Sequence, residues 1–200
     1  MTPRQRIIDA VEGLIGQGGL RSVSIASAAA AAGVSRQTIY TQFGTREDLV
    51  NTAIAEFSTR ALGEIGKQVE PIADPGEYVV ELLVSARTQF RSTPALAVLL
   101  FPETGNPMFG ADMMAEATLF VEVFVGPLFA RAPALEGRRA DVIETLLRTG
   151  VSVLTFDSDL VRSDADLRGY LRRTLVPALG LAAPGRDQAA GRASARRPGA

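Results

Sequence analysis

Hydrogen-bonding side chains are concentrated in one short stretch of the sequence, SRQTIYTQ, at residues 35–42. Arginine and glutamine form paired hydrogen bonds with base edges in the major groove of DNA, and hydroxyl groups bond to bases or phosphates. If the stretch is helical, Ile39 and Phe43 lie one turn apart and face inward. The residues left facing outward are Arg36, Gln37 and Thr41. This pattern is typical of a helix that contacts DNA, but any surface helix with a polar outer face would also show it.

The 200 residues include no cysteine and no histidine, which excludes several kinds of chemistry. Disulfides, the usual zinc sites, cysteine nucleophiles and histidine-based triads all need one of these two residue types. An all-α enzyme that uses tyrosine or carboxylate chemistry remains a minor alternative, although no nucleophile and base are visible as a pair. We therefore expect no enzyme, no metal site and no cofactor.

The residues before this stretch are predicted to form two helices. Residues 4–17 repeat apolar side chains at helical spacing, and the glycine-rich run 16–19 ends that helix. Ser24 can cap a second helix, which contains five consecutive alanines. Their methyl groups let this helix approach its neighbours closely, and Gly33 permits the sharp turn that follows it.

Capping residues also define the helices that follow. Ser35 can cap the third helix, and Val34 and Ile39 have the spacing of a hydrophobic staple, which fixes the angle at which this helix leaves the turn. Thr45 can cap a fourth helix, which continues to about Gly66. A short helix, a turn at a glycine and a second helix that begins with polar residues is the layout of a helix-turn-helix.

The rest of the chain is also predicted to be helical, so the fold class is all-α. Helical patterns cover residues 76–92, 95–102, 108–131, 136–157 and 164–179. We expect a three-helix DNA-binding domain at residues 1–48, a connecting helix at 46–66, and a helical domain for ligand binding and dimerisation at 49–181. Residues 182–200 combine Pro, Gly, Ala and Arg without an apolar stripe, which predicts a disordered tail.

The phrase GVSRQTIYTQFGTREDLV, which begins at Gly33, resembles the N-terminal signature of the tetracycline-repressor (TetR) family of transcriptional regulators. The resemblance covers about residues 4–55. The positions that match are Gly33, Val34, Ser35, Arg36, Thr38, Ile39, Tyr40, Phe43, Arg46, Glu47 and Leu49. The family's all-helical body also agrees with the helical patterns above. The resemblance implies a homodimer that binds a palindromic DNA operator.

The hydrogen-bonding residues of this phrase are the predicted DNA contacts. Arg36, Gln37 and Thr41 are expected at base edges, and Thr38, Tyr40, Gln42 and Arg46 at phosphates. Ser24 and Ser35, at the two helix starts, complete the set. The chain departs from the family at Ala26, where a basic residue is common, and at Thr41 and Gln42, where an aromatic residue and a histidine are common. We therefore expect one phosphate contact fewer and an altered base preference.

The last two predicted helices have apolar faces that suit a dimer interface. A helix-turn-helix contacts one half-site, and a two-fold partner supplies the second. As the family resemblance implies, two such helices from each subunit would form a four-helix interface, although packing within one subunit would give the same pattern. The predicted interface residues are Ile143, Leu147, Gly150, Val151, Leu154, Leu167, Leu171 and Leu175.

Residues 107–130 are rich in methionine and phenylalanine and are apolar on most faces of a helix, which indicates a buried position. Ordinary core packing is the first interpretation. The alternative is an adaptable pocket for a small apolar or amphipathic ligand. The predicted lining is Phe90, Leu99, Met113, Ala117, Phe120 and Phe124, with Gln89 or Thr118 as orienting polar groups.

These expectations combine into a ligand-responsive regulator. The ligand would release a repressor from its operator, and an activator, a co-repressor-dependent regulator or a helical adaptor without DNA binding are the alternatives. No apolar run approaches membrane-spanning length, and the N-terminus lacks a signal-peptide core, so we expect a cytoplasmic protein with no membrane partner.

Overall fold

The structure is a computed structural model that describes residues 1–100 and 113–181, with side chains in the second range from residue 121 onward. Across these residues it contains nine α-helices and no β-strand, so the predicted all-α class is confirmed. The helices are α1 (Pro3–Gly18), α2 (Ile25–Ala32), α3 (Arg36–Phe43), α4 (Arg46–Val69), α5 (Pro75–Ser92), α6 (Pro94–Val98), α7 (Met113–Arg131), α8 (Arg139–Thr155) and α9 (Asp164–Ala178). Within the same residues, no helix is long and apolar enough to cross a membrane.

Each predicted helix is present, and the differences are confined to the ends. The helix predicted at 95–102 ends at Val98, because Leu99 and Leu100 make the tighter i→i+3 hydrogen bonds of a turn. The helix predicted at 136–157 begins at Arg139, because the residues ahead of it, Pro133–Arg138, form a 3₁₀ helix. Another 3₁₀ turn, Leu20–Ser22, joins α1 to α2 and was not predicted. Residues 108–112 of the predicted seventh helix and the predicted tail at 182–200 lie outside the described residues.

The chain divides into two compact units. Of the described residues, the first unit contains 1–65, 86–100 and 113–119, and the second contains 66–85 and 120–181. The predicted boundary between residues 48 and 49 falls inside α4, which continues without a break. The first unit extends past that boundary because α6 packs against α1: a Cβ atom at Gly16 would lie 3.2 Å from the Cβ of Pro94.

The core of the first unit holds α3 in place. The apolar stripe predicted on α1 is buried except for the half-buried Leu14, and it packs in one cluster with Ile39 of α3 and with Leu49 and Phe57 of α4. The three alanines of α2 that face this cluster, Ala28, Ala29 and Ala32, are buried with it. Burying apolar area is the main source of stability for helices this short, since isolated helices of eight residues are marginal in water.

The second unit contains α8, α9 and parts of α4, α5 and α7. Two arginine–glutamate pairs join α5 to α9, and each is bidentate. Arg168 donates to both carboxylate oxygens of Glu81 at 2.6 and 2.8 Å, and Arg172 donates to those of Glu77 at 2.7 and 2.6 Å. The hydrogen bonds from Arg172 lower the pKa of Glu77, and the partial burial of that carboxylate opposes the shift.

Arg131, at the end of α7, joins that helix to the segment between α4 and α5. Its guanidinium donates to the carbonyl oxygens of Ile72 at 2.7 Å, Glu70 at 2.8 Å and Pro127 at 2.9 Å, and it lies 4.5 Å from the ring centre of Tyr78. The Tyr78 hydroxyl donates to the Phe124 carbonyl at 2.9 Å. Burial raises the pKa of Tyr78, while the nearby Arg131 opposes that shift.

Candidate functional site

The turn between α2 and α3 is built from local hydrogen bonds. Gly33 is in the left-handed conformation, with φ 63° and ψ 42°. Its amide donates to the Ala30 carbonyl at 3.3 Å, and the amide of Val34 donates to the Ala29 carbonyl at 3.0 Å. This pair of bonds is the Schellman motif, which satisfies the last carbonyls of a helix when the next residue accepts a positive φ. The predicted role of Gly33 as the turn residue is confirmed.

Serine side chains cap both helices of the helix-turn-helix, α2 and α3. The Ser24 hydroxyl accepts from the Ser27 amide at 3.0 Å, and the Ser27 hydroxyl accepts in return from the Ser24 amide at 2.8 Å. At the start of α3, the Ser35 hydroxyl accepts from the Thr38 amide at 3.1 Å and lies 2.9 Å from the Thr38 hydroxyl. The predicted caps are therefore present, and the hydroxyls of Ser24, Ser35 and Thr38 have partners within the chain.

The two faces of α3 differ as predicted. Ile39 is fully buried and Phe43 is 9% exposed, so the helix is held by its inner face. The residues on its outer face, all exposed, are Arg36, Gln37, Tyr40, Thr41 and Gln42. The Thr41 hydroxyl donates to the Gln37 carbonyl at 2.8 Å. This face therefore presents a guanidinium, two amides and a phenol to solvent.

Arg46, a predicted phosphate contact, is hydrogen-bonded within the first unit. Its Nε donates to the Val23 carbonyl at 2.6 Å and its Nη2 donates to the Leu20 carbonyl at 2.7 Å. Its third nitrogen, Nη1, lies 3.6 Å from a carboxylate oxygen of Glu47. Two of its three nitrogens are therefore bonded to backbone carbonyls inside the unit, and the phosphate contact stays a prediction.

Other arginines of the first unit pair with acids on neighbouring helices. Arg4 forms an ion pair with Glu56 and lies 5.8 Å from the ring centre of Phe43, and Arg60 forms an ion pair with Glu12. Ala26 of α2, where we expect one phosphate contact fewer than in the family, has an exposed side chain. Much of the positive charge near the helix-turn-helix is therefore matched by acids on the same unit.

The structure describes the side chains of four of the eight predicted ligand residues, and these four do not all belong to the same unit. Gln89 and Phe90 are half-buried in the first unit, where Phe90 packs against the core and Leu99 is part of it. Phe124 is half-buried in the second unit. The side chains of the remaining four, Met113, Ala117, Thr118 and Phe120, lie outside the described residues. The pocket therefore stays a prediction.

The predicted interface residues fall into two groups. Leu167 and Leu171 are fully buried, and Leu175 and Ile143 are 4% and 9% exposed. These four are core residues of the second unit and have little area left for a partner, so their place in the interface stays a prediction. Val151 is 52% exposed on α8, and the remaining three, Leu147, Gly150 and Leu154, are half-buried.

Other exposed apolar groups follow Val151 in the sequence, and none of them is in the predicted set of interface residues. Tyr170 of α9 is 37% exposed, and in the α8–α9 loop Phe156 and Leu160 are 72% and 82% exposed. Helical spacing places Tyr170 beside the buried stripe, since it lies three residues from Leu167 and one from Leu171. Spacing says nothing about the loop, where no helix fixes the directions of the side chains.

Comparisons with known proteins agree with this geometry. Residues 7–53 match the family model described as bacterial regulatory proteins, tetR family, and this range contains α2, α3 and the turn between them. The HTH-type transcriptional regulators MT1294 and Rv1255c, from two strains of Mycobacterium tuberculosis, are each 31% identical to this chain over 176 residues. That alignment covers 86% of this chain and 83% of theirs.

Several solved structures share the fold. GusR of Salmonella enterica has a TM-score of 0.67 at 22% identity, covering 89% of this chain and 95% of its own. The TetR family repressor AlkX of Dietzia sp. has a TM-score of 0.58 at 20% identity, and the fatty acid degradation regulator FadR of Bacillus halodurans has 0.59 at 19%. Both alignments cover 90% of this chain and 96% of the other. The chain belongs to the TetR family of bacterial transcriptional regulators and contains that family's helix-turn-helix.

Proposed function

We propose that α3 is the recognition helix and lies in the major groove of an operator. The observation that supports this most directly is the division of α3 into a buried inner face and an exposed polar outer face. Arg36 and Gln37, in the first turn, are the residue types that bond bidentately to guanine and adenine. The N-terminal residues of a recognition helix are those that contact base edges.

The other exposed residues of α3 have positioning roles in this proposal. Tyr40 and Gln42 donate to phosphate oxygens, which fixes the register of the helix without selecting a sequence. Because the Thr41 hydroxyl donates its proton to the Gln37 carbonyl, Thr41 offers DNA an acceptor and a methyl group. A methyl group favours contact with the C5-methyl of thymine. Ser24, Ser35 and Thr38 act mainly through the helix caps described above.

The working form is a homodimer on a palindromic operator, because one helix-turn-helix occupies a single half-site and the second lies about 34–36 Å away. We place the interface on α8 and α9 at their exposed apolar groups, Val151 and Tyr170. The half-buried Leu147, Gly150 and Leu154 would flank them. A DNA-bound regulator of this kind would act in the bacterial cytoplasm.

In this proposal the dimer is a repressor, and a small apolar or amphipathic ligand releases it from the operator by favouring the conformation that does not bind DNA. Two observations support the ligand class. The stretch 107–130 is rich in methionine and phenylalanine. Two structural neighbours are described as regulators connected with n-alkane biodegradation and with fatty acid degradation.

The DNA-binding proposal is tested with a duplex selected from a random library by the wild-type protein. Arg36→Ala and Tyr40→Phe should each weaken binding to that duplex and leave thermal unfolding unchanged, since both side chains are exposed. Arg138→Ala, which removes an exposed arginine from the 3₁₀ helix ahead of α8, is the matched control and should bind like the wild type. If both α3 variants bind with wild-type affinity, α3 is not the recognition helix.

The ligand proposal is tested by adding a medium-chain n-alkane, or the fatty acid of the same length, to the protein–duplex complex. Release of the duplex is the expected result, and Phe120→Trp should reduce the release without changing DNA affinity in the absence of ligand. An unchanged response in that variant would remove Phe120 from the pocket. If neither compound releases the duplex, the ligand class is wrong, while the DNA-binding proposal is unaffected.

A further inference from the structure

We infer that Arg46 is a positioning residue for DNA binding: it fixes the 3₁₀ turn Leu20–Ser22 against the start of α4 and so sets the direction of α2 and α3. The inference rests on the proposal that α3 is the recognition helix. It assigns no contact between Arg46 and DNA. A phosphate contact by Arg46 is the competing explanation for any loss of binding when this residue is changed.

The guanidinium of Arg46 acts as a fork that bonds to two backbone carbonyls at once. The Nε and Nη2 atoms point to two different carbonyls, those of Val23 and Leu20, at 2.6 and 2.7 Å. Charged donors make stronger hydrogen bonds than neutral ones, so both carbonyls are held firmly. Arg46 itself is the first residue of α4, so the fork joins residues 23 and 26 positions apart in the sequence.

The acceptors lie at a place that controls the helix-turn-helix. Leu20 and Val23 are each 1% exposed, so the turn is anchored in the core on both sides. Val23 directly precedes Ser24, the N-cap of α2. The Leu20 carbonyl also accepts from the Val23 amide at 3.4 Å, so the Arg46 guanidinium bonds to both ends of the backbone bond that closes the turn. A change in the position of Val23 therefore changes the start of α2, and α3 follows through the Gly33 turn.

Only an arginine fits this role well. Its planar guanidinium presents donors in a rigid fork, whereas lysine is a point charge on a flexible stem. Lysine at this position would keep the charge but would not hold two separated carbonyls in one fixed geometry. The side chain of Arg46 is also 38% exposed and has Glu47 beside it, which lowers its value as a phosphate contact. Arg36, by contrast, is exposed at the start of α3.

Arg46→Lys separates the two explanations, because it keeps the charge and removes the fork. We would measure the affinity for the selected duplex, the affinity for a shuffled duplex, and the salt dependence of both, below the unfolding transition of every variant. For a positioning role, specific affinity falls at least tenfold, while binding to the shuffled duplex and the salt slope stay at wild-type values. Arg46→Gln should weaken specific binding to a similar extent.

Two other results would overturn the inference. If Arg46 contacts phosphate, Arg46→Lys binds the selected duplex with near wild-type affinity. Arg46→Gln then lowers the salt slope by about 0.9 for each lost contact, or about 1.8 for a dimer. If Arg46 only stabilises the fold, Tm falls but both affinities stay unchanged. Arg36→Ala is measured alongside. If Arg36→Ala has no effect, the proposal for α3 fails, and this failure is distinct from a failure of the inference about Arg46.

Discussion

Replacing Gly33 with alanine tests the turn between α2 and α3 with little steric interference. Beyond the adjoining residues, a Cβ atom added at Gly33 would have no atom within 4 Å, so the substitution creates no clash with the surroundings. The cost is then the backbone conformation alone, with φ at 63°. A left-handed conformation costs an L-residue about 1–2 kcal/mol. Alanine also restricts the unfolded chain, which offsets about 0.4–1 kcal/mol, so we expect a net loss of about 1 kcal/mol in the free energy of unfolding.

Gly63→Ala is the matched control with the opposite sign. Gly63 is also exposed and also has no atom within 4 Å of an added Cβ, but it lies inside α4. Alanine in a helix interior is more stable than glycine by about 0.5–1 kcal/mol. Urea unfolding of both variants gives the two differences directly, and Gly33→Asn should lose less than Gly33→Ala, since asparagine tolerates this conformation better. Equal shifts for the two alanine variants would refute the argument.

Three further predictions concern other parts of the chain. Because the pKa of Glu77 is lowered by Arg172, its contribution to stability is complete above the ordinary glutamate pKa of about 4.3 and is lost as the pH falls through the lowered value; Glu77→Gln should flatten that acid limb in urea unfolding measured from pH 6 to pH 3. Val151→Arg should convert the dimer to monomer in sedimentation or light scattering, whereas Ala55→Arg, at an exposed alanine of α4, should not; a Val151→Arg dimer would remove this face from the interface. Ser35→Ala should lower the free energy of unfolding by about 1 kcal/mol through loss of the α3 cap, and a neutral result in urea unfolding would show that the cap contributes nothing.

The helices of the first unit could be predicted from the sequence because their ends are fixed locally. Ser24, Ser35 and Thr45 each bond to a group three residues ahead, and a spacing of three residues is visible in the sequence. The reciprocal partners of two of these caps, Ser27 and Asp48, were missed, although both lie at the third position where capping boxes place them. Local chemistry therefore determines the layout of the helix-turn-helix.

Features that depend on distant residues could not be predicted in the same way. The role of Arg46 depends on two carbonyls more than 20 residues away, and every residue has a carbonyl, so no side-chain pattern marks them. Leu167 and Leu171 repeat every four residues, and this spacing is the same whether the partner helix belongs to the same chain or to another. Only their burial within one chain distinguishes the two cases.

The exposed methyl group of Ala26 affects how tightly the protein would hold any stretch of a chromosome. A lysine at this position would attract phosphates equally on the operator and on every other stretch of DNA, because such attraction does not depend on sequence. The ratio of operator affinity to non-specific affinity would then stay the same, and this ratio decides occupancy when competing stretches are in large excess. An uncharged α2 therefore shortens the time spent on each non-specific stretch and leaves the choice of the operator to α3.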